Sequence, residues 1–432
     1  MSAVQTWITG ARLIDPSQGL DGAYDLAIGD GGRVLSVEAR GSHKIPEDCS
    51  TIDASGQWLL PGLVDLHVHL REPGEEYKET IAGGAEAAVR GGYTSVCCMA
   101  NTEPVNDTGT VTRFIAGRGR DAGLAKVLPV GAVSKGLLGK ALAEMADMAR
   151  EGAVAFSDDG MPVMDAGLMR RALEYARPLG LPIVVHEEDH GLARDFDMHE
   201  GHISTRLGLR GQPCEAEAVM VARDLMLARL TRGRLHFAHV SSAMSVDLIR
   251  RAKDAGLPVT AEVTPHHLWL DHNSFLERPY DASLKMAPPL RTAQDRAALV
   301  EGLADGTLDA IATDHAPHYL VDKEHAFGDC ANGVVGLGSG LGLTLRMVAE
   351  GILDLNTAVS ALTARAAACF DLEAGSLKPG APADFLLLDP DARRRLSVDR
   401  LGGVSRNSPF IGWTMHGRVL STWVDGRIVT YS

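Results

Sequence analysis

The segment Leu63-Val64-Asp65-Leu66-His67-Val68-His69-Leu70 decides how this chain is read. Side chains alternate faces along a strand, so Asp65, His67 and His69 are expected on one face and Val64, Leu66 and Val68 on the other. In a barrel strand the apolar set would meet outer helices, and the two imidazoles would enter the mouth together. Seven further apolar runs follow, at 94–99, 127–133, 153–157, 182–186, 235–240, 259–263 and 310–313. Helical stretches rich in Ala, Leu and Arg separate them, at 77–90, 166–177, 215–230, 243–255 and 293–303. Strand and helix in alternation argue for βα units around a parallel sheet. Eight such units predict a (β/α)₈ TIM-type barrel, with its active site at the C-terminal strand ends. An open doubly wound sheet is the alternative, and it lacks both a GxGxxG after the first strand and a phosphate loop.

Working outward, residues 1–56 read as short strands at 4–9, 11–14, 26–29 and 34–38, broken by Asp-Pro and Gly-Gly turns. The tail reads alike, with strands at 383–388, 418–424 and 427–430 and a hairpin turn at Val424-Asp425-Gly426-Arg427. Neither end suffices for its own core. The expected organisation is therefore a small β-sandwich built from 1–56 together with 372–432, and a catalytic barrel from 57–371.

Composition bounds the partners. The 432 residues are 45% hydrophobic and 23% charged, the profile of an ordinary globular enzyme. A net charge of −14 argues against a broad nucleic-acid footprint, and an anionic substrate would need local positive charge. No apolar stretch approaches the roughly 18 residues of a membrane span. Residues 1–20 carry Asp and Gly where a signal peptide would be apolar, so the chain is expected in the cytoplasm. Six cysteines without a CxxC motif read as buried thiols rather than a disulfide framework.

Polar residues gather at the strand ends. The fourth run closes on Ser157-Asp158-Asp159-Gly160, the fifth on His186-Glu187-Glu188-Asp189, the sixth on His239-Val240-Ser241-Ser242 and the eighth on Thr313-Asp314-His315. Together with His67 and His69 they bring four His and two Asp to one rim. This thiolate-free mixture suits Zn²⁺, with Mn²⁺ or Co²⁺ as substitutes. Six donors exceed one tetrahedral ion and suit a two-metal centre bridged by a carboxylate, which activates water at neutral pH. Asp189, His190, His236 and His315 read individually as ordinary hydrogen-bonded strand-end groups.

These residues resemble a family. Asp65-Leu66-His67-Val68-His69-Leu70-Arg71-Glu72-Pro73-Gly74 is similar to the dihydroorotase signature of the amidohydrolase superfamily. Met99-Ala100-Asn101-Thr102, Ser157-Asp158-Asp159-Gly160, Glu262-Val263-Thr264-Pro265-His266-His267, Pro288-Pro289-Leu290-Arg291, Ala312-Thr313-Asp314-His315-Ala316-Pro317-His318 and Asn407-Ser408-Pro409-Phe410 agree in order and spacing. The resemblance implies that His67 and His69 bind a first zinc and His186 and His239 a second, with Asp159 bridging and Asp314 also on the first. Asp159 is preferred to Asp158 on the family's spacing. Relatives such as hydantoinases bridge with a carboxylated Lys, whereas 152–182 contains no Lys, which looks like the bacterial subgroup that bridges with Asp.

The implied substrate pair is N-carbamoyl-L-aspartate and (S)-dihydroorotate, interconverted in pyrimidine synthesis. Arg71, expected two residues beyond His69 on the same strand face, would clamp the carboxylate. His69, Asn101, His318, Asn332 and Gly333 would complete the substrate contacts. Asp314 is the implied catalytic residue: it takes the attacking water's proton and passes it to the leaving nitrogen, so hydrolysis and cyclisation should show opposite pH profiles. Two positions depart from the family pattern. Ala287 stands where Asn commonly precedes Pro-Pro-Leu-Arg, and Gly338 where many members carry Glu. The alternatives are a hydantoinase-like or allantoinase-like hydrolase, and an inactive scaffold for aspartate transcarbamoylase. A homo-oligomer is expected, and an active enzyme paired with that transcarbamoylase is compatible with the same residues.

Overall fold

The structure is a computed structural model that describes residues 4–47, 49–193 and 195–429. The N-terminal stretch supplies β1 (Val4–Thr9), β2 (Arg12–Asp15), β3 (Leu20–Gly29), β4 (Val34–Ala39), β5 (Ser50–Asp53) and β6 (Trp58–Pro61). The barrel strands follow as β7 (Leu63–Val68), β8 (Tyr93–Cys98), β9 (Lys126–Gly131), β10 (Ala155–Ser157) and β11 (Ile183–Val185). A two-stranded excursion, β12 (Met198–His199) and β13 (Gly211–Gln212), precedes β14 (Leu235–Phe237), β15 (Val259–Val263) and β16 (Ala310–Ile311). The tail returns as β17 (Phe385–Arg395), β18 (Thr414–Val424) and β19 (Arg427–Val429). Of the expected strand at 427–430, Thr430 lies outside the described residues.

All eight barrel strands run parallel, in the order β7, β8, β9, β10, β11, β14, β15, β16. The circle closes where Val68 bridges His315 and the His69 N–H donates to the His315 carbonyl at 2.8 Å. Beside this seam, the fully buried Asp65 carboxylate accepts the Thr313 N–H at 3.1 Å and the His67 N–H at 3.1 Å. Asp65→Ala strands both buried donors, so we expect it to lower the unfolding free energy by about 2–4 kcal/mol. Asp65→Asn keeps an acceptor oxygen and should cost less. Denaturant titration checks this, and equal losses for the two variants would remove the clasp.

The alternation expected for β7 holds only in part. Asp65 pairs with Val96 and Val68 with Cys98, so β7 carries one residue more than β8 between these pairs. This bulge re-aims the strand. Val64 and Leu66 do not meet outer helices; they pack with Cys97, Val130, Ala155, Val184 and Ala310, contacts that strands around a circle can make only inside it. Leu66 and His67 thus both reach the interior, while Val68 and Leu70 pack outward with Ala85 and Val89 of the Ile81–Arg90 helix. The floor is plugged by the unforeseen helix Ala364–Cys369 and by Phe370, whose ring stands edge-on to His236 at 5.1 Å.

The helix Gly109–Ala122, which the sequence reading does not name, carries Gly109, Gly117 and Gly119. A Cβ on Gly119 would stand 2.7 Å from Val127 Cβ, so glycine here admits close approach of the helix to β9.

The terminal strands join in one path, β19-β18-β17-β6-β2-β3-β1-β5, with β4 paired to β3. It folds around Ile8, Leu13, Leu26, Ile28, Leu59, Phe385, Leu387 and Trp423, drawn from both ends of the chain. β6, absent from the sequence reading, pairs antiparallel with β17 and parallel with β2. The terminal sheet therefore takes in Pro61, past the expected limit at residue 56. None of the described cysteines forms a disulfide, and no described helix is long and apolar enough to cross a membrane.

Candidate metal centre

The strand ends bring all six expected donors into one cluster, five of them lining a cavity and His67 buried beneath it. Asp159 lies in the middle: its Oδ1 is 3.3 Å from His67 Nε2, 3.4 Å from His239 Nε2 and 3.5 Å from His186 Nδ1, and its Oδ2 is 3.5 Å from His69 Nε2. Asp314 Oδ1 is 3.2 Å from His69 Nε2 and 3.8 Å from His67 Nε2. His186 Nδ1 and His239 Nε2 face each other at 3.0 Å. Every one of the six is less than a tenth exposed.

These separations test the fit to a cation. A tetrahedral ion with bonds of about 2.0–2.1 Å holds its ligands about 3.3 Å apart. The donor pairs bracket that value, and two triads, His67/Asp159/His239 and His67/His69/Asp314, share His67. His67 Nε2 is buried and has no hydrogen-bond partner, because Nδ1 makes the bond to Glu262. The donor set fits a metal ion.

Electrostatics agree with the spacing. Burial alone would raise Asp159, but the His67 charge and the hydrogen bonds from His186 and His239 outweigh it and hold the carboxyl well below its ordinary value. Asp314 is lowered in the same way: burial opposes, and the His69 hydrogen bond with charge on His67, His69 and His239 prevails. Burial would depress His186, yet Asp159 and Glu188 lift it to about 10. A field that holds protons this tightly on buried imidazoles attracts any cation that replaces them.

The backbone carries strain at the same place. Arg71, His239 and Asp314 adopt φ of 63°, 31° and 47°, the left-handed region that non-glycine residues rarely enter. For Arg71 this corrects the expected strand placement. β7 ends at Val68, and a turn rather than strand alternation aims the guanidinium, whose Nε donates to the Pro317 carbonyl at 3.2 Å.

Supporting groups fix the imidazoles. His69 Nδ1 donates to Asn101 Oδ1 at 2.9 Å, leaving Nε2 for a cation. Asn101 therefore orients a donor as well as facing the cavity. Glu262, fully buried on β15, accepts from His67 Nδ1 at 3.0 Å and from His236 Nε2 at 3.1 Å. His236 Nδ1 in turn meets Thr260 Oγ1 at 2.7 Å. The sequence reading gave Glu262 no role, although alternation along 259–263 places it on an inward face. Such partners typically tune metal affinity by about 10- to 100-fold. Glu262→Gln should weaken metal binding by that order in a chelator competition, and unchanged affinity would remove Glu262 from the support.

Asp158 faces away, accepting the Val133 and Ser134 N–H groups at 2.8 and 2.9 Å. Glu217, also missed, accepts the Ser241 and Ser242 N–H groups at 3.1 Å each and so holds the turn after His239. Asp189 caps Gly191 and Leu192, and His190 stays at the surface.

Beside the donors lies a cavity of about 280 Å³, to which Arg71, Asn101, His318, Asn332, Gly333 and Ala287 contribute. His318 Nε2 donates to the Asn332 carbonyl at 2.6 Å, and Asn407 ties the wall by donating to the Ala316 and Gly333 carbonyls at 2.9 and 3.1 Å. Gly338, the other departure from the family pattern, is not at this wall; a Cβ there would stand 2.7 Å from the Leu401 carbonyl oxygen. Larger hollows of about 730 and 1060 Å³ lie against the terminal sheet and hold none of these six donors.

Comparison with known proteins agrees with this arrangement. A family model described as dihydro-orotase-like matches residues 56–245. A dihydroorotase of Anaeromyxobacter dehalogenans (strain 2CP-C) is 54% identical over 423 residues, covering 98% of this chain and 97% of that protein. One from Syntrophotalea carbinolica is 49% identical over 98% of both chains. The solved L-hydantoinase (dihydropyrimidinase) from Arthrobacter aurescens superposes with a TM-score of 0.88 at 27% identity, over 99% of this chain and 96% of its own. With identity near one half along almost its whole length, and a His/Asp cage at the mouth of a closed parallel barrel, the chain belongs to the dihydroorotase family, cyclic amide hydrolases of the amidohydrolase superfamily.

Proposed function

We propose that the chain interconverts N-carbamoyl-L-aspartate and (S)-dihydroorotate at a two-zinc centre. His67, His69 and Asp314 would hold one ion, His186 and His239 the other, and Asp159 would be shared. Zinc bound there supplies Lewis-acid polarisation of the amide carbonyl and a water nucleophile at neutral pH.

The observation that carries the substrate assignment is Arg71. It is 9% exposed, lines the cavity and has no carboxylate in ion-pair range among the described residues. Its acidic neighbours are engaged elsewhere, Glu72 with Arg118 and the Ile81 N–H, and Glu75 with Lys78. A buried guanidinium aimed into an otherwise acidic mouth fits a substrate carboxylate. A hydantoin or allantoin ring brings no such carboxylate.

The residues then divide the work. Arg71 binds the ring carboxylate, with His318 and Asn332 beside it. Asn101 keeps His69 in one tautomer. In hydrolysis, Asp314 accepts the proton of the attacking water and returns it to the leaving ring nitrogen; in cyclisation the same carboxyl starts protonated. Six donors held at ligand spacing favour an active enzyme over a scaffold. Self-association, pairing with aspartate transcarbamoylase and a cytoplasmic location extend this reading without altering the site.

The test is direct. Zinc-loaded protein should contain two ions per chain and consume dihydroorotate in preference to hydantoin and allantoin. A fully metallated sample inert toward dihydroorotate would reject the assignment. Arg71→Met should raise KM for dihydroorotate by about 100-fold, two charge-assisted hydrogen bonds being lost. A KM within a factor of two of wild type would move the carboxylate elsewhere.

A further inference from the structure

We propose that Lys285 and Lys323 are positioning residues for the reaction: their ammonium groups gather the backbone carbonyls of the loop at 326–333 and thereby set the roof of the substrate cavity. The proposal rests on the cyclic-amide reading of that cavity.

Phe327 and Cys330 anchor the loop in an apolar cluster, and four of its carbonyls turn toward the two ammonium groups. Lys285 is 3% exposed, and its Nζ donates to the Phe327 carbonyl at 2.7 Å and the Gly328 carbonyl at 2.9 Å. The same ammonium lies 3.8 Å from Asp197 Oδ1. Asp197 is paired to Arg210 and follows Phe196, which lines the cavity, so Lys285 joins two cavity loops. Lys323 Nζ donates to the carbonyls of Ala331 at 2.7 Å, Gly333 at 3.1 Å and Lys285 at 3.4 Å. The Gly333 N–H completes the ring by donating to the Lys285 carbonyl at 3.0 Å.

Between these attachments stand Asn332 and Gly333, the two loop residues at the cavity wall. An ammonium is the side-chain group that offers three diverging donors and a charge to converging carbonyl dipoles. Without the charge those oxygens face one another unscreened, and the roof relaxes outward. The metal donors stand on other strands and are untouched by that movement. The expected signature is therefore weaker substrate binding with metal retained.

Lys323 adds a pH dependence. Enclosure lowers its ammonium to about 8; Cys330 and Asp281 oppose the shift, and Lys285 adds to it. The other charged or titratable neighbours are His318 at the cavity wall, which feels Lys323 and Lys78, and Asp322 and Glu324 on its own helix, Leu320–Glu324. As pH rises through about 8 the group loses its charge and one donor, so roof contacts weaken on the alkaline side.

The experiment uses the zinc-loaded full chain, with KM and kcat for dihydroorotate measured from about pH 7 to about pH 9.5, a range that spans the lowered lysine and lies below ordinary ones. Lys323→Met should raise KM about tenfold at neutral pH, the worth of one hydrogen bond to a charged group, with a smaller change in kcat and unchanged zinc content. Wild-type KM should climb about threefold or more across the range. Lys323→Arg, which stays charged, should hold it flat. An alkaline rise shared in full by Lys323→Arg overturns the proposal, as does an unchanged KM in Lys323→Met.

Hydrogen exchange at 326–333, compared between variants at one pH, should be faster in Lys323→Met than in wild type, and equal exchange would also overturn it. If Lys323→Met fails to fold, wild type against Lys323→Arg in both measurements carries the test. Wild-type protein inert toward dihydroorotate at every pH would instead reject the functional reading, and the exchange comparison, which needs no substrate, would still judge the roof.

Discussion

Asp314→Asn should fold, retain most of its bound metal and lose turnover of dihydroorotate by about 10²- to 10⁴-fold in kcat, the range of a positioned proton carrier. The carboxylate sits at the end of the last barrel strand, with Oδ1 at 3.2 Å from His69 Nε2 and a backbone φ of 47°. Neighbouring imidazoles keep it ionised despite burial. Asparagine preserves the shape and leaves a carbonyl oxygen toward the donor cluster, but it cannot take up that proton. Rates in both directions should fall together. Substantial activity in a fully metallated Asp314→Asn protein would take Asp314 out of proton transfer.

A second substitution should act on binding rather than chemistry. Asp159→Ala removes the carboxylate that stands within 3.5 Å of donor nitrogens from His67, His69, His186 and His239. Four imidazoles then converge without the anion they share. If two zinc ions bind as proposed, the bound zinc should drop from two ions toward one or none and activity should fall at least 10³-fold, since a water activated there would depend on both ions. Asp158→Ala is the control. Its carboxylate holds the Val133 and Ser134 amides, so that variant should lose stability while keeping its metal. Two ions and normal turnover in Asp159→Ala would dissolve the shared-carboxylate arrangement.

The neighbouring pair Asp158 and Asp159 shows how far sequence reading reaches. Both follow the same strand, and only a spacing borrowed from relatives separates them on paper. In three dimensions the two carboxylates part, one toward backbone amides and the other toward the imidazoles. Likewise, strict alternation places Asp65 beside His67 and sends Leu66 outward. One extra residue in β7 reverses both. A bulge depends on pairing with β8 and leaves no trace in the run itself. The supporting groups were hidden for the same reason: Glu262, Glu217 and Lys285 bond to partners far along the chain.

What the chain's own order of residues determined is the barrel, the β-rich ends and the His and Asp side chains that gather at the strand ends, because strand and helix periods and strand-end chemistry are local properties. The tertiary structure alone decided how the Asp158 and Asp159 carboxylates part, how Arg71 is turned into the cavity and which carbonyls Lys285 and Lys323 meet. Those depend on distances between segments that only the closing of the circle brings together.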